Sequence, residues 1–216
     1  MGWKVFYKID ESQFKRFYDE LKRWGDLYPL RVITPEKTYY GCGAYKTNGT
    51  FRFSPKIQHP IGVKTRITIK YLFLAEANAP AGSSSSIGIV FYKNSETSKD
   101  PQGYDFHGVR VSLVSSPPST HVEAKTLVVE QDNNKIVLVY DGKSSEYQLE
   151  PPLQSFAVAI QVDRYTGIAV YEVIGEYYDF IEDIFNMMFN VMMIAMFIVL
   201  GVTFVGAIIR AFRRRG

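Results

Sequence analysis

The feature that most constrains the fold is an uncharged apolar run near the end of the chain, from Ile184 to Ile209. As an α-helix rising about 1.5 Å per residue, this run would be about 39 Å long, enough to cross a hydrocarbon core of about 30 Å with some tilt. Lipid offers the backbone no hydrogen-bond partners, so an isolated apolar span has to be helical. A buried helix of a soluble protein is the alternative, but such helices seldom run so far without a polar face. The run therefore predicts a C-terminal transmembrane helix.

Both flanks of the run fit a membrane boundary, since acidic and aromatic residues precede it and arginines follow it. Aromatic rings are typical of one interface, and arginines that extend toward water are typical of the other. The predicted membrane-anchoring side chains are Ile184, Phe185, Met188, Phe189, Met192, Phe197, Leu200, Phe204 and Ile208. The arginines expected to set topology and to contact lipid headgroups are Arg210, Arg213, Arg214 and Arg215.

Two asparagines, Asn186 and Asn190, stand four residues apart and so share one face of the predicted span. A hydrogen bond between the helices of two subunits is one interpretation of this pair. The other places both side chains near the headgroups, where water satisfies them.

Charge and cysteine content limit the classes of function. The net charge of +3 is small, and four arginines lie in the tail, so the remainder carries no basic field for nucleic acid. Nucleic acid is therefore disfavoured as a partner except through that tail. Cys42 is the only cysteine, which excludes an internal disulfide and a cysteine-based metal cluster. We expect Cys42 to be buried or inert, because no evident base accompanies it, although its flanking glycines would give a thiol access.

Topology has two conflicting indications. The first residues lack the apolar core of a secretory signal, which favours cytoplasmic synthesis and later insertion of the C-terminal helix. The excess of arginines after the span would instead place the tail in the cytoplasm. We expect the large domain on the cytoplasmic side, or on the outer face of a virion membrane.

The N-terminal region predicts a strand and then a helix. Trp3–Ile9 alternates in polarity, and residues 11–24 carry apolar side chains at helical spacing. These side chains are Phe14, Phe17, Tyr18, Leu21 and Trp24. Lying on lipid or on a partner is one interpretation of this amphipathic helix, and packing on the domain's own sheet is the other. The polar face mixes both charge signs, which favours packing on the sheet.

From Arg31 onward the pattern is almost wholly β, with turn residues between short strands. One such turn, Asp141-Gly142, predicts a hairpin, and the alternation is clear from Ile67 to Phe73 and from Phe156 to Val162. The predicted strands are Thr38–Tyr40, Thr50–Ser54, Thr65–Leu74, Ile87–Tyr92, Gly108–Leu113, Thr126–Glu130, Lys135–Tyr140, Glu146–Leu149, Phe156–Val162 and Ile168–Ile174. Loops at 77–86 and 94–103 are expected to be exposed and mobile. Closely spaced strands with few helices predict a mainly β fold, an antiparallel jelly-roll-like sandwich. The expected organisation is 1–30 for the first strand and helix, 31–176 for the sandwich, 177–212 for the anchor and 213–216 for the basic tail.

The order of these strands resembles that of the concanavalin A-like lectin and glucanase superfamily, in pattern only. The segments that carry the resemblance are Lys64–Leu74, Ile87–Lys93, Gly108–Val114 and Lys135–Gly142. The resemblance implies a jelly roll, but the superfamily's catalytic carboxylates and calcium ligands do not carry over, because Gly108–Ser116 holds no carboxylate. If the fold is shared, we expect it to serve as a scaffold.

The sequence contains no recognisable catalytic motif, and its three histidines, His59, His107 and His121, follow no metal-ligand spacing. We therefore expect a non-enzymatic, single-pass membrane protein without a cofactor, which acts as a structural or interaction module such as a virion-membrane or cell-envelope component. The expected partners are the lipid bilayer and either other proteins or further copies of the chain. One alternative is a membrane-anchored carbohydrate-binding protein or glycan hydrolase, with a glycan as ligand. Another is a tail-anchored adaptor for a cytoplasmic complex.

Overall fold

The fold was derived from a computed structural model. It describes residues 2–9, 11–21, 27–45, 50–54, 56–58, 63–92, 106–132, 134–148 and 155–214. The chain forms two compact units. One unit comprises Val5–Tyr177, and the other comprises the residues up to Lys4 together with those from Tyr178 onward. The predicted domain boundaries at residues 30, 176 and 212 stay predictions.

The described residues form strands that are nearly all antiparallel neighbours, with a helix close to each end of the chain. In chain order the elements are β1 Trp3–Ile9, α1 Glu11–Leu21, β2 Leu27–Ile33, β3 Thr38–Ala44, β4 Thr50–Arg52, β5 Ile57–Gln58, β6 Thr65–Ala75, β7 Ser84–Tyr92, β8 Phe106–Ser112, β9 His121–Asp132, β10 Lys135–Tyr140, β11 Lys143–Gln148, β12 Ser155–Val162, β13 Thr166–Tyr178 and α2 Phe180–Arg213.

Two antiparallel sheets make the sandwich, which confirms the predicted fold class. The larger sheet has eight strands in the order β11-β10-β9-β6-β13-β3-β2, with β1 paired to β13, and the smaller has five, β4-β12-β7-β8, with β5 paired to β12. Each strand predicted from the sequence is present, with ends shifted by a few residues. Asp141 and Gly142 both have positive φ in the tight turn between β10 and β11, as the predicted hairpin requires.

Two strands were not predicted. The strand β2 contains Pro29, which lacks a backbone N–H and is tolerated because β2 lies at the edge of its sheet. The strand β5 is only two residues long, too short to show a period. Both omissions therefore have a local cause in the sequence.

The main core lies between the sheets and follows the alternation of the strands. On β6 the inward side chains are Ile67, Ile69, Tyr71 and Phe73, none more than 1% exposed. On β12 they are Phe156, Val158, Ile160 and Val162, all 0% exposed. A single buried cluster includes both sets, as the predicted alternation required.

The amphipathic helix α1 packs on the sandwich, which settles the two interpretations left open by the sequence. Phe14 is 1% exposed and stacks on Phe53, with ring centroids 6.1 Å apart. Tyr18 is 8% exposed and its ring lies 5.1 Å from that of Tyr40 on β3. The predicted residues Phe17, Leu21 and Trp24 have side chains outside the described part of the chain.

Candidate functional site

The outward face of the larger sheet is divided into a charged half and an apolar half. In the charged half, Arg66 on β6 donates two hydrogen bonds to Glu130 on β9, at 2.7 and 3.0 Å. Lys70 forms an ion pair with Glu172 on β13, with 2.6 Å between nitrogen and oxygen. Such partly exposed pairs are each worth about 0.2–1 kcal/mol, so this half is an ordinary solvated surface.

The apolar half begins beyond Lys70, where the outward positions of β6 become Leu72 and Leu74. These two leucines are only 7% and 6% exposed although they point away from the main core. With Ala169 they form a separate buried cluster, against which four half-buried side chains pack. Those side chains are Leu30, Val32, Tyr39 and Tyr171. This half of the face is therefore built as a second, smaller apolar layer.

The register explains why this layer is concave. One row across the sheet runs from Tyr28 through Gly43, Gly167 and Leu74 to Val122. The two central positions of the row carry no side chain, so the larger residues at both ends form walls above a low floor. The next outward row also has small residues between two leucines, with its residues in the order Leu30, Gly41, Ala169, Leu72 and Ala124.

Side chains from the edge strand β2 lean across these glycines. A Cβ added to Gly43 would lie 2.5 Å from Cζ of Tyr28, and one added to Gly167 would collide with Cδ1 of Leu30. At the far side, the hydroxyl of Tyr28 donates a hydrogen bond of 2.8 Å to Oε1 of Glu76, just beyond the end of β6. The glycines are thus required for β2 to cover its own sheet.

A groove of about 480 Å³ lies between the β2 side chains and the start of β9. We name it the β2 groove. The lining side chains are mostly apolar, with a few polar groups among them. The lining includes Tyr28, Leu30, Arg31, Glu76, Thr120 and Tyr165. Arg31 is exposed, and in the described part of the chain no carboxylate lies within ion-pair distance of it. Volume and lining are of the kind that hold small molecules.

One end of the β2 groove is formed by the turn between β12 and β13. Tyr165 has a φ of 72°, which is rare for a side-chain-bearing residue, and the guanidinium of Arg164 lies 4.7 Å from the centre of its ring. The next residue, Thr166, is 1% exposed, and its hydroxyl donates to the carbonyl of Ser84 at 2.8 Å. This buried hydrogen bond fixes the turn and hence the position of Tyr165.

The chemistry of the β2 groove is suited to binding. Burial raises the pKa of the Tyr28 hydroxyl, and its hydrogen bond to the Glu76 carboxylate raises it further. Tyr28 is therefore a neutral phenol at physiological pH, which donates one hydrogen bond and presents its ring to the groove. The exposed guanidinium of Arg31 adds a permanent cation with several donors.

The predicted membrane-anchoring residues all lie on α2 and all are exposed, with the lowest exposed fractions at Ile184 and Ile208, 38% and 39%. The candidate span is Asp183–Arg213, 31 residues long, and its most apolar 18-residue stretch has a mean hydropathy of 2.7 and no buried residue. Arg210 and Arg213 occupy the last turn of the helix, and Arg214 follows it. Arg215 lies outside the described residues. One long apolar helix is thus a candidate membrane span, as predicted.

The asparagine pair is exposed on the same helix. Asn186 and Asn190 lie one turn apart on α2, within the candidate span. Their contact with a second helix stays a prediction, as do the lipid and topology roles assigned to the other residues of this segment.

The single cysteine and the described histidines lie apart from one another and form no reactive cluster among the described residues. Cys42 is fully buried, which confirms the expectation of a buried cysteine, and burial raises the pKa of its thiol. The ring of His107 lies 4.5 Å from that of Tyr147, and His121 contacts Glu123 at 3.6 Å. His59 lies outside the described residues, among which no group of three or more possible ligands could hold a metal ion.

The first of the two predicted loops is less exposed than expected. Ala79 is 0% exposed, and Ser84 and Ser85 belong to β7 and are each 1% exposed. Backbone hydrogen bonds from Gly82 to Leu113 and from Leu113 to Ser83 hold this loop against the end of β8. Residues 77, 78 and 80–82 are exposed as predicted, and the mobility of the loop stays a prediction. The second loop, 94–103, lies outside the described residues.

Sequence reasoning missed the β2 groove, although one signal pointed to it. The alternation of β6 stops at Tyr71, and four apolar residues follow one another to Leu74. A run of this kind in an exposed sheet indicates that both faces are covered. The side chains of β2 cover this second face, and β2 was not predicted because it contains a proline.

No protein-family model matches the chain, and no curated protein matches its sequence. Solved structures with a similar fold include the Emp46p carbohydrate recognition domain, 10% identical over 81% of this chain and 98% of that one, with a TM-score of 0.40. The lectin from Bauhinia forficata, solved in complex with GalNAc, is 10% identical over 80% of this chain and 98% of that one, with a TM-score of 0.35.

A protein of unknown function with a galectin-like fold from Bacillus subtilis is 9% identical over 82% of this chain and 100% of that one, with a TM-score of 0.38. These matches agree with the weak, fold-level resemblance predicted from the strand order. At these identities and TM-scores, no ligand or activity follows from them.

Proposed function

We propose that this chain is a single-pass, membrane-anchored β-sandwich that acts as a non-enzymatic structural or interaction module, such as a component of a virion membrane or a cell envelope. The observation that carries the proposal is α2, whose apolar segment is exposed along its length. Leaving so many large apolar side chains in water would be strongly unfavourable, at about 25 cal/mol per Å² of apolar surface. A bilayer is the environment that removes this cost.

The asymmetry of charge around α2 supports a fixed orientation in the bilayer. Asp179 and Asp183 lie at its start, and Arg210, Arg213 and Arg214 lie at its end. We propose that the sandwich faces the cytoplasmic side, or the outer face of a virion membrane, and that the arginines face the opposite compartment. In a virus with an internal membrane, such arginines would face the packaged genome.

The anchor is tested by placing a charge at the centre of α2. Leu200→Arg should release the chain from carbonate-washed membranes, because an arginine at the middle of a span costs about 2.5–3.5 kcal/mol on insertion. Phe212→Arg, at the arginine-rich end, is the matched control and should stay in the membrane fraction. Recovery of the unaltered chain in the soluble fraction would contradict the proposal.

Topology and assembly need two further measurements on native membranes. Protease added to sealed vesicles should digest the sandwich from the cytoplasmic side and leave the arginine-rich tail protected. Crosslinking should join the chain to other proteins or to further copies of itself. A lone monomer throughout would contradict an interaction module, whereas recovery within a soluble cytoplasmic assembly would favour an adaptor.

The β2 groove favours a second candidate, a membrane-anchored glycan-binding protein. A neutral sugar presents apolar C–H faces, which pack on tyrosine rings, and hydroxyls, which bond to charged side chains. Tyr28 and Tyr165 supply the rings, while Arg31 and Glu76 supply a donor and an acceptor at the rim. All four residues line one groove, so a single pyranose would be able to use rings and charges together.

A glycan array probed with the detergent-solubilised full chain tests this candidate. A specific oligosaccharide should bind, and Arg31→Ala should reduce binding about tenfold, as expected for a lost hydrogen bond to a charged group. Lys143→Ala, on the exposed strand β11 at the other edge of the sheet, is the control and should bind normally. If the chain binds no glycan on the array and hydrolyses none in a screen, both the carbohydrate-binding protein and the glycan hydrolase are excluded as functions.

A further inference from the structure

The first residues of the chain contact the start of the membrane helix, within one compact unit. The indole of Trp3 meets the ring of Tyr178 edge to face, with centroids 5.6 Å apart. Nζ of Lys4 lies 2.6 Å from Oδ2 of Asp179, and the backbone N–H of Asp179 donates to the carbonyl of Gly2 at 3.2 Å. Three independent contacts therefore join residues that are more than 170 positions apart in sequence.

Asp179 connects these contacts to the helix itself. Its Oδ1 accepts a hydrogen bond of 3.1 Å from the backbone N–H of Ile181, so Asp179 caps the N-terminus of α2 while Oδ2 binds Lys4. The hydroxyl of Tyr178 donates to the carboxylate of Asp183 in the first turn. The aromatic pair and the ion pair are thus attached to the first turn of α2 rather than to a free end.

The chemistry of this cluster matches the boundary of a bilayer. Tryptophan and tyrosine combine an apolar ring with a polar group and concentrate at headgroup level. Phe180 and Ile181 follow at once and are 63% and 66% exposed, so apolar surface continues from the cluster into the span. Phe180, the first residue of α2, precedes Ile184, the start of the uncharged run, by about 6 Å along the helix axis, comparable to the thickness of one headgroup layer of about 5–7 Å.

We propose that Trp3, Lys4, Tyr178, Asp179 and Phe180 form an interfacial collar that seats in the headgroup layer, so that the N-terminal residues make a second contact with the membrane. The proposal rests on the membrane anchoring proposed above. Lys4 is neutralised by Asp179, and Asp183 adds a further negative charge, so the collar carries no excess of positive charge. The surface that the collar contacts is therefore a zwitterionic phosphocholine headgroup layer, and anionic lipid is not required.

Tryptophan fluorescence measures the depth of the collar directly. Trp24→Phe leaves Trp3 as the only tryptophan of the full chain. After reconstitution into phosphatidylcholine vesicles, lipids brominated near the headgroup should quench the emission of Trp3 more than lipids brominated near the chain ends. Adding anionic lipid should leave this difference unchanged.

Two controls separate the collar from the anchor. Flotation of the vesicles reports anchoring, and absence of the chain from the floated fraction overturns both proposals. If the chain floats but Trp3 is quenched by neither lipid, or more strongly by the lipid brominated near the chain ends, the anchor is supported and the collar proposal is overturned. Lys4→Met removes the ion pair and should weaken quenching by the lipid brominated near the headgroup. Lys143→Ala is the control and should leave this quenching unchanged. Equal quenching in both variants would show that the Lys4–Asp179 pair does not hold Trp3 in place.

Discussion

Replacing Gly167 by alanine tests the account of the β2 groove. The added Cβ would lie 2.7 Å from the carbonyl oxygen of Cys42 on β3 and would collide with the side chain of Leu30. Comfortable contacts between non-bonded carbon atoms begin near 3.5 Å. Leu30 has rotamers to escape into, but the Cys42 carbonyl belongs to a paired strand, so β3 must shift away from β13. Overpacking of this kind costs about 1–3 kcal/mol.

Urea unfolding of the full chain in detergent, followed by far-UV circular dichroism, measures this cost. With a dependence of about 2–3 kcal/mol per molar urea, the midpoint should fall by about 0.3–1.5 M. Gly201→Ala is the control, because a Cβ at that position on α2 meets nothing within 4 Å, and it should leave the midpoint of the sandwich unchanged. An unaltered midpoint for Gly167→Ala would refute the close approach of β2 and β3 to β13.

Two further predictions concern the rest of the sandwich. Phe14→Ala should lower the free energy of unfolding by about 3–5 kcal/mol, measured by the same urea titration, because Phe14 is buried against the core, whereas Lys15→Ala on the exposed face of α1 should change it by less than about 0.5 kcal/mol. The pKa of Glu123 is lowered by its hydrogen bond to Lys125, so its contribution to stability is present above the pKa of the unfolded state and is lost as pH falls through the folded pKa. Carboxyl NMR titration should show the lowered pKa of Glu123, and Lys125→Met should raise that pKa. An equal pKa of Glu123 in the unaltered protein and in the variant would contradict the pairing.

The two halves of the larger sheet's outward face differ in how their side chains are shielded from solvent. Its charged half is solvated and pairs its charges internally, while its apolar half is covered by a single edge strand. An edge strand exposes unpaired backbone groups, and β2 limits this exposure through Pro29, which has no N–H to offer. The same strand thus lines the groove and limits pairing with other chains.

The elements that sequence reasoning located share one property, a pattern complete within a few neighbouring residues. The inward row of β6 from Ile67 to Phe73 and the uncharged run of α2 are of this kind, and so is the turn at Asp141 and Gly142. One-sided burial and turn geometry each select the residue types of neighbouring positions. They therefore leave a trace in the sequence, a local pattern that can be recognised without knowing the fold.

The collar leaves no such trace, and the β2 groove leaves only the interrupted alternation of β6, because each joins distant segments. Gly43 and Gly167 become the floor of one row only when β3 pairs with β13, and Tyr28 reaches Glu76 only across that row. Lys4 finds Asp179 only because β1 pairs with β13.

The amino-acid sequence alone thus determined the class of the fold, the positions of the predicted strands and the existence of an apolar span. The tertiary structure decided which face of the sandwich is concave, that α1 belongs to the core, and which residues meet at the base of α2. The physical reason is that periodicity and hydrophobicity are properties of adjacent residues. A binding surface depends instead on strand register, which is set by the packing of the whole sheet.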